Sequence, residues 1–231
     1  MINNYPEPIF IPWIGKNYLK MPTKILVVGD SGYCGDSACN GCCGVRGDCS
    51  YEDMGDCRNF TGNIIKIYLE NRREKNKLEQ YEQKTYGGFE KIMFGNFESC
   101  IKNSFDECYA FWHSIAFYNF VQTAVADSSD QKNYNNDDYA KSKPMFLHLI
   151  NLLQPDYIFI WGRRAYHAAP DEGWTDDTNG DSFQGSYKLK SGHVATCASL
   201  RHPSRGWLKS SNEKIKKLMG NDYDLFIRSI I

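Results

Sequence analysis

Short, continuous apolar runs alternate along the chain with longer segments in which apolar residues recur at helical spacing. Lys24–Gly29 (KILVVG) and Asp156–Gly162 (DYIFIWG) are typical of strands that are buried on both faces. Phe60–Gln80 and about Ser142–Leu153 have the periodicity of helices, and a further strand is predicted around Phe117–Val121, after an aromatic helical segment. Because helical segments separate the strands, the pattern predicts an α/β fold with a mostly parallel sheet covered on both faces.

The last third of the chain has a different pattern. Asp171–Gly185 is acidic and contains glycine, which indicates a loop. Ser186–Ser199 (SYKLKSGHVATCAS) is typical of a hairpin, and its second half supplies a fourth strand. Asn212–Met219 predicts a final helix, and we expect the short tail after it to pack on the core.

Length and composition favour a single domain over residues 1–231, because the chain has 231 residues and 42% apolar content. The longest apolar runs are too short to cross a bilayer, and the N-terminal MINNYPEPIF lacks a basic region followed by an apolar core. We therefore expect a soluble, cytoplasmic protein with no membrane partner, and a monomer.

The formal net charge is −1, so only a local basic patch could attract nucleic acid. Arg163 and Arg164 follow a predicted strand and form one such patch. A second set lies near the C-terminus and comprises Arg201, Arg205, Lys209, Lys214, Lys216 and Lys217. The lysines alone are equally well explained as the solvated face of a helix.

Six of the nine cysteines fall within about residues 34–57, a segment otherwise rich in Gly, Asp, Asn and Ser. This composition indicates a loop insertion whose shape something must fix. Cys34, Cys39 and Cys42 have the spacing of the first three ligands of a plant-type iron–sulfur site. Cys39 and Cys42, together with Cys49 and Cys57, could hold tetrahedral zinc. Neither spacing is complete, so reduced thiols or disulfides stay open. The candidate ligands of a structural zinc ion or iron–sulfur cluster are Cys34, Cys39, Cys42 and Cys57.

Polar side chains follow each of the four predicted strands where the strand ends. They are Asp30, Ser31 and Tyr33 after the first strand, Asn119 at the second, Arg163 after the third and His202 after the fourth. In parallel sheets, ligands bind beyond the carboxyl ends of the strands. These residues therefore predict one site, although each alone is also explained as a turn or capping residue.

The motifs at these strand ends resemble, in order, those of the uracil-DNA glycosylase superfamily. VVGDSGYCG is similar to the water-activating first motif, GNIIKIYL to the helix after it, and IAFYNFVQ to the strand with the base-reading asparagine. IFIWGRRAY and LRHPSRG resemble the third strand and the final His-Pro-Ser loop. The resemblance covers roughly residues 24–220. It implies a three-layer α/β/α fold with a central, mostly parallel four-stranded sheet.

The resemblance also implies cleavage of an N-glycosidic bond in DNA, with the target base flipped out of the helix and no cofactor needed for catalysis. His202 would donate a hydrogen bond to the departing base, and Asn119 would read its edge. Tyr33 and Phe60 are candidate stacking faces. The candidate DNA contacts and wedges are Arg163, Ser204, Arg205 and Trp207.

The first motif departs from the superfamily pattern. Ser31 stands where many members have a water-activating aspartate or asparagine, and Gly32 stands where a proline is expected. A serine is not a usable general base near neutral pH without a partner. Asp30 would replace it if the loop turned that carboxylate inward.

The resemblance implies that the substrate is uracil or another modified or deaminated base, and the sequence leaves the choice open. Two other functions compete with the glycosylase interpretation. One is a nucleic-acid-binding or nucleotide-binding member of the same fold without catalysis, in which Ser31 marks lost chemistry. The other is an interaction protein stabilised by metal in the cysteine-rich segment.

Overall fold

A computed structural model describes residues 10–32, 59–74, 78–97, 104–122, 136–177 and 183–230. These residues form a mixed α/β fold. The strands are β1 (Trp13–Ile14), β2 (Ile25–Gly29), β3 (Ala116–Asn119), β4 (Tyr157–Trp161), β5 (Trp174–Asp176), β6 (Gln184–Lys188) and β7 (Val194–Leu200). The helices are α1 (Phe60–Arg73), α2 (Gln80–Phe94), α3 (Phe105–Trp112), α4 (Asn136–Leu153), α5 (Arg163–Ala168), α6 (Leu208–Met219) and α7 (Asn221–Ile230).

The seven strands form one sheet in the order β1-β3-β2-β4-β7-β6-β5. Its four central strands, β3, β2, β4 and β7, are mutually parallel. β1 pairs antiparallel with β3 at one edge, and β6 and β5 extend the other edge in antiparallel pairing. The sheet is therefore larger than the four strands expected, because short edge strands flank the four that the apolar runs predict.

Both faces of the sheet are covered by helices, as the continuous apolar runs predict. Ile25 and Val27 of β2 point into a first core, to which α1, α2, α3, α6 and α7 contribute. Leu26 and Val28 point into a second core that includes residues of α4 and α5. All five residues of β2 are buried, since a central parallel strand has an apolar environment on each side.

The first predicted helix has different limits in the structure. The single helix expected over Phe60–Gln80 ends at Arg73, and α2 begins at Gln80, where Glu82 accepts a hydrogen bond from the Glu79 backbone N–H at 2.8 Å. Glu79 and Glu82 form a capping box, in which the side chain of each accepts from the backbone N–H of the other. A capping box marks the start of a helix, and this one lies within the segment expected to be a single helix.

The predicted hairpin is confirmed, since β6 and β7 pair antiparallel. Part of the acidic loop expected over Asp171–Gly185 is instead strand β5. Because β5 is short and contains polar residues, its sequence does not show the apolar pattern that predicts a strand. The C-terminal tail packs on the first core as expected, but it does so as helix α7 through Tyr223, Phe226 and Ile230. In the described part of the chain, no helix has the length and apolar character needed to cross a membrane.

Candidate functional site

The residues that follow the four central strands lie at one edge of the sheet. Gly29 of β2 is in register with Asn119 of β3, and Trp161 of β4 is in register with Leu200 of β7. Because these strands are parallel, their carboxyl ends meet at the same edge. We call the residues at this edge the strand-end site; they are residues 30–32, Phe60, Asn119 and residues 201–207.

Asn119, Phe60 and the loop after β2 are in close contact within the strand-end site. A Cβ atom at Gly29 would overlap Oδ1 of Asn119. A Cβ at Gly32 would overlap the ring of Phe60 and would lie 3.4 Å from Nδ2 of Asn119. Glycine at both positions therefore lets the loop pass directly over the asparagine and the ring.

Asn119 is buried, with 7% of the residue exposed. Its backbone carbonyl accepts a hydrogen bond from Nε2 of Gln122 at 2.6 Å. The nearby Ser31 hydroxyl is buried without a hydrogen-bond partner among the described residues. Unsatisfied buried polar groups are rare, and they indicate a place where a ligand or water completes the hydrogen bonding.

His202 has a defined tautomer and charge. Nδ1 of its ring accepts from the backbone N–H of Ser204 at 3.3 Å and lies 2.8 Å from the Ser204 hydroxyl. A backbone N–H can only donate, so the ring proton of the neutral imidazole is on Nε2. Burial, together with the positive charge of Arg205, lowers the pKa of His202 to about 4. His202 is therefore a neutral N–H donor at physiological pH.

Residues 201–207, which we call the His202 loop, pack on Trp161 and on helix α2. The ring of His202 packs edge-on against Trp161, with 5.7 Å between the ring centroids. Pro203 is buried against Gly88 of α2, where an added Cβ would lie 3.2 Å from Cβ of Pro203. The sequence pattern does not predict α2, and it therefore does not predict the contact between Gly88 and Pro203. The Gly87-Gly88 pair is the sequence feature that could have indicated a close approach to this helix.

Aromatic packing through Trp161 also extends from His202 toward Asn119. The ring of Trp161 lies 5.2 Å from that of Phe117, and Phe117 approaches the same face of Gly29 as Asn119 does. Asn119, Phe60 and His202 thus share the first-core face of the sheet, with aromatic rings between them.

Asp30 is directed to the other face. Its Oδ1 accepts a hydrogen bond of 2.7 Å from the hydroxyl of Tyr139, a residue of α4 in the second core. Burial raises the pKa of Asp30, while the Tyr139 hydrogen bond and the charge of Arg164 act in the opposite direction. The structure therefore places Asp30 at the predicted strand end but separates its carboxylate from Asn119 and Phe60.

The predicted DNA contacts lie around the strand-end site and are exposed. Arg163 begins α5 and stacks over Phe183, with Cζ 4.2 Å from the ring centroid. Ser204 and Arg205 are on the surface of the His202 loop. Trp207 is 60% exposed, and Cζ of Arg201 lies 3.9 Å from its ring centroid.

Several predicted residues lie outside the described part of the chain. They are Tyr33 and the four candidate metal ligands Cys34, Cys39, Cys42 and Cys57. Among the described residues, no group of three or more His, Cys, Asp or Glu side chains could hold a metal ion. Cys108 and Cys197 are described, and both are buried free thiols.

The chain matches no known protein-family model and no curated protein sequence. The functional interpretation consequently depends on the geometry of the strand-end site and on the order of the motifs that form it.

Proposed function

We propose that this protein is a DNA glycosylase that hydrolyses the N-glycosidic bond of uracil, or of another modified or deaminated base, flipped out of DNA. The fold we propose is of the uracil-DNA glycosylase type, with four parallel central strands between two helical layers. The observation that carries the proposal is the neutral His202, with its N–H on Nε2, on the same face of the sheet as the buried Asn119.

The chemistry needs a donor for the departing base. When the glycosidic bond breaks, the base takes the bonding electron pair and the sugar develops oxocarbenium character. The oxygen of water then bonds to the anomeric carbon, and the proton that water loses passes through solvent to the base anion. Nε2 of His202 would donate to a base carbonyl as negative charge develops there. A preorganised donor of this kind typically contributes about 3 kcal/mol to the transition state.

Base recognition falls to Asn119 and Phe60. An amide offers a donor and an acceptor side by side, which suits the edge of a pyrimidine. Phe60, packed under the loop at Gly32, offers a ring face to the base.

The water would enter on the side of the loop after β2. Ser31 lines this side with a hydroxyl that lacks a partner, and a neutral hydroxyl orients water without removing its proton. For Asp30 to act as a base, its carboxylate would have to leave Tyr139. We therefore assign Asp30 to holding the loop, and we assign the main rate enhancement to His202.

The exposed rim supplies the DNA contacts. Base flipping leaves a gap in the stack, and an aromatic or guanidinium group that fills it offsets part of the lost stacking energy. Trp207, backed by Arg201, and Arg205 are placed for this role at the tip of the His202 loop. Arg163 and Ser204 are assigned to phosphate contacts.

A base-release assay tests the proposal. Oligonucleotides that carry uracil, hypoxanthine, xanthine or modified cytosines are incubated with the protein, and abasic sites are detected by alkaline cleavage. We expect release from at least one of them, with loss in His202→Ala and Asn119→Ala. His167→Ala is the matched control, because His167 is an exposed histidine of α5.

A nucleic-acid-binding protein without catalysis is the second candidate. It is favoured by Ser31 in the first motif and by the direction of Asp30 toward Tyr139. This function predicts that the same oligonucleotides bind with an affinity that depends on Asn119, and that none loses its base. The binding and release assays, run on the same variants, separate the two candidates.

A further inference from the structure

A fully buried carboxylate lies behind the His202 loop, and the proposed chemistry does not use it. Glu90 of α2 has no exposed surface and lies within the aromatic first core. Its Oε1 accepts hydrogen bonds from the Tyr68 hydroxyl at 2.8 Å and from Trp112 Nε1 at 2.9 Å. Its Oε2 accepts from Cys108 Sγ at 2.9 Å and lies 3.8 Å from Nε of Arg72. We call these five residues the Glu90 cluster.

The Glu90 cluster joins three helices. Tyr68 and Arg72 belong to α1, while Cys108 and Trp112 belong to α3. Arg72 also donates to Cys108 through Nη2 at 3.5 Å. Each contact is directional, so the cluster fixes the position and rotation of α2 more narrowly than apolar packing alone would.

A buried charge is a poor way to gain stability. Removing a carboxylate from water has a large unfavourable free energy, and replacing buried ionic groups with apolar side chains is often neutral or stabilising. Burial raises the pKa of Glu90, whereas Cys108, Tyr68, Arg72 and Trp112 all act to lower it. Such a group is best explained by a requirement for one particular geometry.

The same stretch of α2 carries the His202 loop. Gly88 lies two positions before Glu90, which places it on the opposite side of the helix. There it contacts Pro203, whose carbonyl oxygen would lie 3.4 Å from an added Cβ. The C-terminal end of α2 is held separately, since the Ile92 carbonyl accepts from Asn212 Nδ2 at 2.6 Å and the Met93 carbonyl accepts from the Tyr223 hydroxyl. A shift of α2 near Glu90 would consequently move Pro203 and the imidazole next to it.

We propose that Glu90 is a positioning residue: through α2 and the Gly88–Pro203 contact, the Glu90 cluster sets the place of His202 in the strand-end site. The catalytic meaning of this inference rests on the proposed function, but the mechanical link does not. It is tested on the free protein, without any substrate.

The test uses Glu90→Gln, which keeps the shape of the side chain but places an NH₂ group among donors. Two readouts follow the His202 loop by NMR: the exchange of the Arg205 and Gly206 amides, which donate to His202 and Pro203 carbonyls, and the pKa of His202. We expect exchange about tenfold faster and a His202 pKa that rises toward its ordinary value.

Leu149→Ala is the matched control, because Leu149 is a buried α4 residue of the second core. It is expected to lower stability and to leave both loop readouts unchanged. Gly88→Ala acts on Pro203 with the cluster intact, and it is expected to reproduce the loop changes of Glu90→Gln. If Glu90→Gln fails to fold, Tyr68→Phe and Cys108→Ala each remove one donor and are expected to give smaller changes in the same direction.

The inference is wrong if Glu90→Gln and Leu149→Ala lower stability alike while neither alters amide exchange or the pKa of His202. It is equally wrong if Gly88→Ala leaves the loop unchanged. A moving loop in a protein that releases no base would contradict the proposed function instead, so the two failures are distinguishable.

Discussion

At the scale of single residues, the state of His202 is the feature on which the proposed chemistry depends. Its Nδ1 accepts from a backbone N–H, and burial lowers its pKa to about 4. The side chain therefore offers one N–H to a ligand without a charge of its own. This suits a group that stabilises a departing anion and then releases the neutral product.

The His202 pKa has a consequence for stability. Because the folded-state pKa lies below the unfolded value near 6.5, the unfolded chain binds the proton more readily between the two values. The contribution of His202 is therefore fully present above about pH 6.5 and is lost as pH falls toward 4. Unfolding by urea at a series of pH values checks this: the stability difference between wild type and His202→Ala should shrink over that window.

His113, whose pKa burial also lowers to about 4, is present in both proteins and does not affect the difference. A wild-type-minus-variant difference that stays constant between pH 7 and 4 would contradict a neutral His202 with a lowered pKa.

Gly32 is the second residue with a specific requirement. A methyl group there would meet the ring of Phe60, so Gly32→Ala is expected to displace the ring and reduce base release by roughly tenfold or more. Gly62→Ala is the control, because Gly62 lies in α1 with nothing within 4 Å of an added Cβ. It should stabilise the helix by up to about 1 kcal/mol and leave release unchanged, as thermal unfolding and the release assay would show.

At the scale of elements, the positions of the central strands along the chain and their parallel direction are predicted from the sequence. Buried parallel strands have continuous apolar sequences. The strands β2 and β4 lie at such apolar runs, and so does β3, which follows the end of α3. The direction of Asp30 also had a signal. Side chains alternate along a strand, so a loop that continues β2 places residue 30 on the face opposite to residue 29.

Other elements left little trace in the pattern. β1 has two residues and β5 has three, too few to show alternation. α2 contains Gly87 and Gly88, which weaken its helical pattern, yet those residues allow Pro203 to approach. The contact between Gly88 and Pro203, which positions the His202 loop, therefore depends on tertiary packing, and hydrophobic periodicity does not predict it.

The loop after β2 depends on α4, and this yields a prediction. Tyr139→Phe removes the hydrogen bond that holds Asp30, leaving a buried acceptor without that donor. We expect a loss of about 1–3 kcal/mol in the free energy of unfolding and a further rise in the pKa of Asp30, since the bond acts to lower it. Urea unfolding and carboxyl NMR titration check both; an unchanged Asp30 pKa would mean that Tyr139 does not hold the loop.

At the scale of the whole molecule, the sheet separates two tasks. Its first-core face carries Asn119, Phe60 and His202, and its second-core face carries the anchor of the loop after β2. On the proposed function, the donor to the departing base therefore lies on the face opposite to the anchor of Asp30.

Metal in the cysteine-rich segment stays a separate proposal. A zinc ion or cluster held by Cys34, Cys39, Cys42 and Cys57 predicts metal in protein purified without oxygen, and its loss when two of these residues become serine. Elemental analysis with ultraviolet–visible spectroscopy checks this. A colourless preparation without zinc would end the metal proposal and leave the strand-end site unaffected.

The most direct test of the central claim is the single-turnover rate of base release from the best oligonucleotide of the panel. We expect His202→Ala to reduce that rate about a hundredfold, as loss of a donor worth about 3 kcal/mol requires, and His167→Ala to match wild type. A wild-type protein that releases no base, or a His202→Ala variant within about twofold of wild type, would contradict the account.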